Sequence, residues 1–388
     1  MRADHFRDSP AGTVVPIPEG GVAFVPRPLP RELLLDPPLI RLLDEASRKV
    51  AMLAGVGETL PNPYLLTRPF VGREAVLSSR IEGTQASQSD LYRFEVSTRR
   101  EGQDDVREVA NYVRALEQAR ERLDHIPIGR RLIDEAHRQL LEGVRGGGIR
   151  RGHFRGIQVW IGSGGPGIED ARFVPPPPDR LPGLMADWER FANDPGMHPP
   201  LIANALLHYQ FETIHPYQDG NGRIGRMLIV LHLIAAGVLP LPLLYLSAYF
   251  ERRREEYYDQ LLAVSRTGEW EPWLEFFLRG VVEQGEDALV RSRALRNLHD
   301  RTRSRMQESG ASANVLQVVE YLFASPVLTN RSVGERLGIT RQGANRILRR
   351  LAEQGVVERI GGSQPHRYVA NDILRAVEHP VSELSDLV

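Results

Sequence analysis

From Leu39 to Glu378, nearly every periodic stretch of this chain repeats its apolar residues at i, i+3, i+4 and i+7. That spacing places them on one face of a helix and leaves little of the chain for sheet. Leu39–Leu53, Arg68–Ile81, Asp105–Leu123 and Arg130–Val144 carry the pattern most clearly. Leu184–Phe191, Leu201–Thr213, a helix from Arg223, Ser247–Thr267 with Ser247 as N-cap, and Pro272 to about Met306 follow. Before the C-terminal region one β element interrupts them. Ile157–Ile161 and Arg172–Val174 flank Gly162-Ser163-Gly164-Gly165-Pro166-Gly167, which reads as a hairpin with a glycine-rich tip. The run Pro175–Pro178 then leaves it as an extended segment. A mainly α protein is expected.

A chain of 388 residues makes two or three domains. Met1 to about Pro38 is rich in proline and glycine, with one strand-like stretch at Gly21–Val25. It reads as an arm that packs over another element or frays. Glu308-Ser309-Gly310-Ala311-Ser312 reads as a linker, and residues 311–370 as a separate unit of helix, short helix, turn, helix and two short strands. Met227 to Leu246 imitates a membrane span, but Gly237, Pro240 and Pro242 break it. What remains is a helix of about 16–22 Å, short of the roughly 30 Å hydrocarbon core. With no basic and apolar leader in the first thirty residues, a cytoplasmic chain without membrane contact is expected. Zero cysteines exclude disulfides, thiolate metal sites and cysteine nucleophiles. A net charge of -1 confines any nucleic-acid surface to a local patch.

The chemistry concentrates in His215-Pro216-Tyr217-Gln218-Asp219-Gly220-Asn221-Gly222-Arg223-Ile224-Gly225-Arg226. Pro216 ends the preceding helix, and Gly220, Asn221 and Gly222 are residue types that tolerate positive φ. Successive N–H groups in such a turn can form an anion nest, reinforced by the positive end of the helix beginning at Gly222. Arg223 and Arg226 in its first turn oppose the helix dipole and repel each other. Two such arginines beside a nest call for a polyanion, and a nucleotide polyphosphate fits. Asp219 offers a hard oxygen for Mg²⁺, and His215 can take a proton at neutral pH. A competing metal site, His208, Glu212 and His215 at i, i+4 and i+7, lacks a zincin spacing and is broken by Pro216.

This stretch resembles the Fic family motif H-P-F-x-[D/E]-G-N-G-R-x-x-R, with Tyr217 in the usual Phe position. Arg155-Gly156-Ile157-Gln158-Val159-Trp160-Ile161-Gly162 and Phe173-Val174-Pro175-Pro176-Pro177-Pro178 resemble the flap region of the same family. The likeness runs from about residue 35 to 280, and a Fic core in tandem with a winged helix is a known arrangement. The resemblance implies a helical core with a β-hairpin flap and transfer of AMP from ATP to a Tyr, Thr or Ser hydroxyl of a target protein, the chain itself included. It makes His215 the general base and Asp219 the Mg²⁺ ligand. Gly220, Asn221 and Gly222 become the phosphate nest, with Arg223 at the β-phosphate and Arg226 at the γ-phosphate. An exposed hairpin edge at Val159, Trp160 and Ile161 could dock the target by main-chain pairing.

Ser78-Ser79-Arg80-Ile81-Glu82-Gly83 closes the helix Arg68–Ile81, with Pro69 suited to its first position and Gly83 to the residue past its end. Glu82 in the last turn meets the helix's negative end, a local rule broken, and Ser78 lies four residues back on the same face. The pattern resembles the family's inhibitory motif [S/T]-x-x-x-E-[G/N], which implies that Glu82 pairs with Arg226 and obstructs the ATP γ-phosphate. In some members that glutamate also supports AMP removal, so a reverse activity stays open.

Residues 311–370 hold eight arginines against four glutamates, a local +4. Ser332–Leu337, the turn Gly338-Ile339-Thr340 and a helix Arg341–Glu353 capped by Thr340 and ended by Gly355 resemble a helix-turn-helix. Val356–Ile360 and Arg367–Val369 around Gly361-Gly362 would form the wing. Arg341, Gln342, Asn345, Arg346 and Arg349 are the candidate DNA contacts. The expected division is 1–65 arm and helix, 66–280 Fic core with the inhibitory helix, 281–310 helical linker, and 311–388 winged-helix domain and tail. The alternative function is a DNA-binding transcriptional regulator whose core is a nucleotide sensor or relic. A homodimer is left open.

Overall fold

The helical periodicity is realised almost throughout in the computed structural model, which describes residues 1–6, 8–59, 62–97, 104–144, 149–163, 167–360 and 366–387. The N-terminal arm forms an antiparallel hairpin, β1 (Gly12–Pro16) with β2 (Val22–Pro26). Helices α1 (Pro37–Thr59), α2 (Tyr64–Ile81), α3 (Gln88–Glu95), α4 (Asp104–Arg122) and α5 (Arg130–Leu140) follow. Pro69 sits inside α2 rather than at its first position, because the helix begins five residues earlier at Tyr64. Helix α5 stops at Leu140, short of the expected Val144.

The flap is a shorter hairpin than expected. Strand β3 is Ile161–Ser163 and pairs with β4 (Ala171–Phe173), so residues 157–160 are irregular rather than strand. Arg155 and Gln158 explain why. Both are buried and spend side-chain donors on flap carbonyls, the role a ladder partner would otherwise fill. The tip residues Gly164-Gly165-Pro166 lie outside the described residues. The arm does pack over this element: Phe24 N donates to Val174 O at 2.9 Å, and Phe6, Phe24 and Phe173 form one ring cluster.

Helices α6 (Leu181–Asn193), α7 (Pro200–Ile214) and α8 (Asn221–Ala235) come next. Thirteen of the fifteen residues of α7 and twelve of the fifteen of α8 are buried, so this pair is the axis of the core. Indole N–H groups of Trp188 and Trp273 donate to Leu207 O and Ala205 O, and Asn204 bridges to Ile229 O. With α7 braced this way, the loop between α7 and α8 has a rigid base. The apolar run from Met227 ends as a helix at Ala235, with Gly237 at φ +68° just beyond. Among the described residues no helix is long and apolar enough to cross a membrane.

The expected helix Ser247–Thr267 breaks at Arg253 into α9 (Ser247–Arg252) and α10 (Arg254–Thr267). Ser247 is not an N-cap. Its hydroxyl instead donates to the buried Glu74 at 2.5 Å. The long α11 (Glu271–Glu308) packs along α1 and carries the chain through the expected linker region to the C-terminal residues.

There, α12 (Ala313–Ala324), β5 (Val327–Thr329), α13 (Asn330–Leu337), α14 (Arg341–Glu353), β6 (Glu358–Ile360), β7 (Arg367–Val369) and α15 (Asn371–Glu378) follow in order. Strand β5 was not anticipated; it makes the sheet three-stranded in the order β5-β7-β6, antiparallel throughout. The wing tip Gly361-Gly362 lies outside the described residues. Nor is this unit separate. Val315, Val318, Val319 and Leu322 join the same continuous core as α2 and α11. Buried Arg291 of α11 grips Asp287 at 2.8 Å and the carbonyls of Ala376 and Val377, while Arg73 of α2 meets the same Asp287 at 3.1 Å.

Candidate active site

Helix α7 ends where Pro216 removes the next N–H, and His215 takes φ +52°, the one non-glycine positive φ among the described residues. That conformation costs about 1–2 kcal/mol and persists only where neighbours fix it. Three contacts do. His215 N donates to Phe211 O at 3.0 Å, its carbonyl receives Arg155 Nε at 2.9 Å, and its Nδ1 lies 3.3 Å from Glu212 O. A carbonyl can only accept, so Nδ1 carries the proton and Nε2 keeps its lone pair. Burial, reinforced by the Arg155 charge, lowers the imidazole to about 4. His215 is therefore neutral at pH 7 and its Nε2 is ready to accept.

The loop that follows is stapled to itself and to α5. Asn221 Oδ1 accepts from Tyr217 N and its Nδ2 donates to Tyr217 O, both at 2.8 Å. The Asn221 side chain thus braces the loop from within and leaves its backbone N–H at the start of α8. Tyr217 is fully buried and its hydroxyl donates to Asp134 at 2.6 Å. Gly220 takes φ +81° as N-cap of α8, with no side chain capping the helix. The first N–H groups of α8, from Asn221 on, have no intrahelical partner. They and the helix dipole form an anion site at the turn. Gly220's own N–H donates to Asp219 Oδ1 at 2.6 Å.

Arg223 and Arg226 diverge. Arg223 pairs with Glu108 at 2.9 Å and Asp219 at 3.4 Å, while its buried Nε has no partner. Arg226 is buried and turns toward α2. Its Nε donates to Ser78 Oγ at 2.9 Å, and Nη2 to Ser78 O at 2.8 Å and Glu82 Oε1 at 2.6 Å. Ser78 reaches Glu82 only through this shared guanidinium. Burial alone would raise the Glu82 carboxyl, but the Arg226 charge outweighs it and holds it below the usual range. Gly83 at φ +100° ends the segment as expected. A methyl placed on Gly222 would lie 2.3 Å from Glu82 Oε1, so the carboxylate sits directly against the first turn of α8.

These groups open on a cavity of about 330 Å³ bordered by Glu82, His215, Gly222 and Arg226 on one side and Phe173, Tyr258 and Leu261 on the other. Glu212 lies in it too, pushed up to about 8 by burial and by the nearby Glu82. Of the flap residues, Trp160 faces outward at 43% exposure, Ile161 packs toward the Phe6–Phe24–Phe173 cluster, and Val159 is half-buried. Among the described residues no three His, Asp or Glu side chains gather as a metal cluster, and His208 is engaged by Tyr257 at 2.8 Å. The half-exposed Asp219 carboxylate beside the free end of α8 fits a hard cation shared with phosphate oxygens.

Glu108, Asp134 and His137 belong to this constellation without a role read from sequence; Arg155, read there only as part of the flap, and Glu212, weighed there only in a competing metal site, belong to it too. For Asp134 and His137 the sequence offers only an Asp-x-x-His spacing on one face of α5, which names no partner. The expected DNA contacts lie elsewhere, on α14. Arg341, Gln342, Arg346 and Arg349 are exposed there and Asn345 is half-buried. Thr340 caps that helix by accepting from Gly343 N.

Residues 40–121 match the N-terminal region of the Fic/DOC family, 127–233 the Fic/DOC family, and 306–373 the sugar-specific transcriptional regulator TrmB. Two curated relatives, each named protein adenylyltransferase Fic, come from Nematostella vectensis and Culex quinquefasciatus. The first is 31% identical over 184 residues, covering 46% of this chain and 36% of that protein. The second is 34% identical over 145 residues, covering 37% and 25%. The chain therefore spans only about a third or less of these relatives' length. A Fic family protein from Desulfovibrio desulfuricans G20 superposes with a TM-score of 0.56 at 23% identity, covering 87% of this chain and 97% of that one. Fic-1 from C. elegans gives 0.51 at 22% identity over 65% and 73%. At those identities the structures establish the fold.

Proposed function

Because the chain belongs to the Fic/DOC family through residues 40–121 and 127–233, we propose that it transfers AMP from ATP to a hydroxyl of a protein. One observation carries this reading: His215 with a free Nε2, the uncapped end of α8 and Arg226 border a single cavity. In this reading a target Tyr, Thr or Ser oxygen attacks the α-phosphorus while His215 Nε2 takes its proton. The bond to the β-phosphate oxygen breaks and pyrophosphate leaves. The N–H groups of Asn221 and Gly222 meet the phosphates, with Arg223 and Arg226 on the β and γ positions. Tyr258 and Leu261 give the base an apolar wall. Magnesium held by Asp219 and the phosphates would supply further positive charge on the leaving group. His215→Ala incubated with labelled ATP and Mg²⁺ tests it. Label should cease to reach protein, and transfer at the wild-type rate would refute it.

Glu82 in this reading is an inhibitor, since its carboxylate neutralises Arg226 and occupies the approach to α8. The flap residues Val159, Trp160 and Ile161 would dock the target. A second reading, DNA binding, is favoured by α14. Arg341, Arg346 and Arg349 are exposed there, and no ion pair engages them among the described residues. The match to a transcriptional regulator over 306–373 supports it. It adds a partner to the enzyme, or makes the core its nucleotide sensor.

A further inference from the structure

Helix α5 abuts the 217–220 turn through Asp134, His137 and Leu140. A methyl on Gly220 would lie 3.3 Å from Leu140 Cδ2 and 3.6 Å from the His137 ring, so the turn is moulded against this helix. The His137 ring is buried and stacks on Tyr217 at 3.8 Å between centroids and 11° between planes. Its two nitrogens have unambiguous roles. Gly152 N–H donates to Nδ1 at 2.8 Å, so Nδ1 holds a lone pair and Nε2 holds the proton. Nε2–H therefore donates to Asp219 O at 2.9 Å. Burial lowers this imidazole to about 4, so it remains a neutral donor at pH 7.

One turn earlier, Asp134 Oδ1 accepts the Tyr217 hydroxyl at 2.6 Å, and Oδ2 lies 3.3 Å from Arg130 Nε. This contact exists only because the chain carries Tyr217 where the family motif has Phe. The peptide joining Asp219 to Gly220 is thereby held from both sides: its carbonyl by His137, its N–H by the Asp219 carboxylate.

We propose that His137 and Asp134 are positioning residues of the active site. Through Asp219 O and the Tyr217 hydroxyl they fix where the Asp219 carboxylate points, and so set the affinity for metal-bound nucleotide. The assignment rests on reading Asp219 and α8 as the metal and phosphate end of an ATP site. Neither residue borders the cavity, so both act through the loop.

The test uses the full chain with His137→Phe, which keeps the stacking but removes both hydrogen bonds, His137→Gln, which restores a donor at the Nε2 position, and Tyr217→Phe. Calorimetric titration with ATP, with and without Mg²⁺, is paired with hydrogen exchange of the segment 216–224 in the ligand-free protein. His137→Phe should weaken Mg²⁺-ATP about tenfold or more, change metal-free ATP less than about twofold, and speed exchange of 216–224 about tenfold. Tyr217→Phe should act in the same direction by about two- to fivefold, and His137→Gln should recover most of the loss. Equal weakening of both nucleotide forms, or unchanged exchange, would make α5 a packing surface only and overturn the proposal. If the wild-type chain binds no ATP, the reading of the site fails while the exchange result still decides whether α5 holds the loop.

Discussion

Replacing Glu82 by glycine should both switch the protein on and loosen it. Arg226 has three acceptors in the closed arrangement, Ser78 Oγ, Ser78 O and Glu82 Oε1, and only the last carries charge. A charge-assisted hydrogen bond contributes about 1.5–3 kcal/mol net. At about 2 kcal/mol only about 3% of molecules would hold Arg226 free, which sets a ceiling of about thirtyfold on activation. Initial rates of AMP transfer by Glu82→Gly at saturating ATP, onto itself or lysate proteins, should therefore rise at least about tenfold. The same change leaves a buried guanidinium with neutral acceptors alone. Truncating one partner of a fully buried pair costs about 3–5 kcal/mol. Glu82 is 35% exposed at its side chain, so a loss of about 1–3 kcal/mol is expected. ATP at a hundredfold its Kd should restore about 2.7 kcal/mol. Unchanged rates together with an unchanged melting temperature would show that the Glu82–Arg226 contact holds nothing back.

Stability should peak near pH 6.5. Burial lowers His137, His215 and His232 to about 4 and His208 to about 3, so the unfolded chain protonates them near 6.5 and the folded chain does not. Burial also raises Glu74 to about 7 and Glu212 to about 8, so the folded chain keeps two protons the unfolded one loses above 4.5. Between pH 4.5 and 6.5 the unfolded chain thus binds two more protons, and stability should rise with pH by about 3 kcal/mol per unit. Above 6.5 only the carboxyls count and the slope reverses; urea midpoints that climb steadily to pH 8 would contradict this. Trp160→Ala with Ile161→Ala should cut modification of a foreign target several-fold while ATP affinity holds, whereas equal loss of both would mean a damaged fold. If α14 enters a major groove, log K for DNA should fall with log salt at a slope near −3 to −5, and Arg349→Ala should flatten it by about one. Binding that ignores salt would leave the winged helix a protein-docking unit.

What the sequence made legible was what local chemistry decides. The α7–loop–α8 chemistry is written in consecutive residues, so His215, Gly220 and Arg226 could be found from spacing and residue type. Glu82 could be found because a carboxylate at a helix C-terminus breaks a local rule. Contacts made across the fold were hidden. Nothing near Asp134 or His137 in sequence points to a loop some eighty residues on. Arg155 looks like an ordinary flap arginine until its three carbonyl partners are in place. Strand β5 was missed because three residues are too few to show alternation, and it exists only through its pairing with β7. The C-terminal unit reads as separate because Ser309-Gly310-Ala311-Ser312 has the composition of a linker. Its apolar α12 face, however, has α2 as partner, which periodicity alone cannot name. A truncation at Gly310 would strip that cover from α2, so point substitutions test AMP transfer and DNA binding more cleanly than deletion.

Every role given to His215, Arg226 and Glu82 depends on transfer of the α-phosphate of ATP to a hydroxyl at the cavity beside His215. That transfer is tested most directly with ATP labelled at either the α or the γ phosphate, in the Glu82→Gly chain with and without His215→Ala. The α label should reach protein, the γ label should not, and His215→Ala should abolish transfer. Transfer of γ label, or α label that survives loss of His215, would contradict this chemistry.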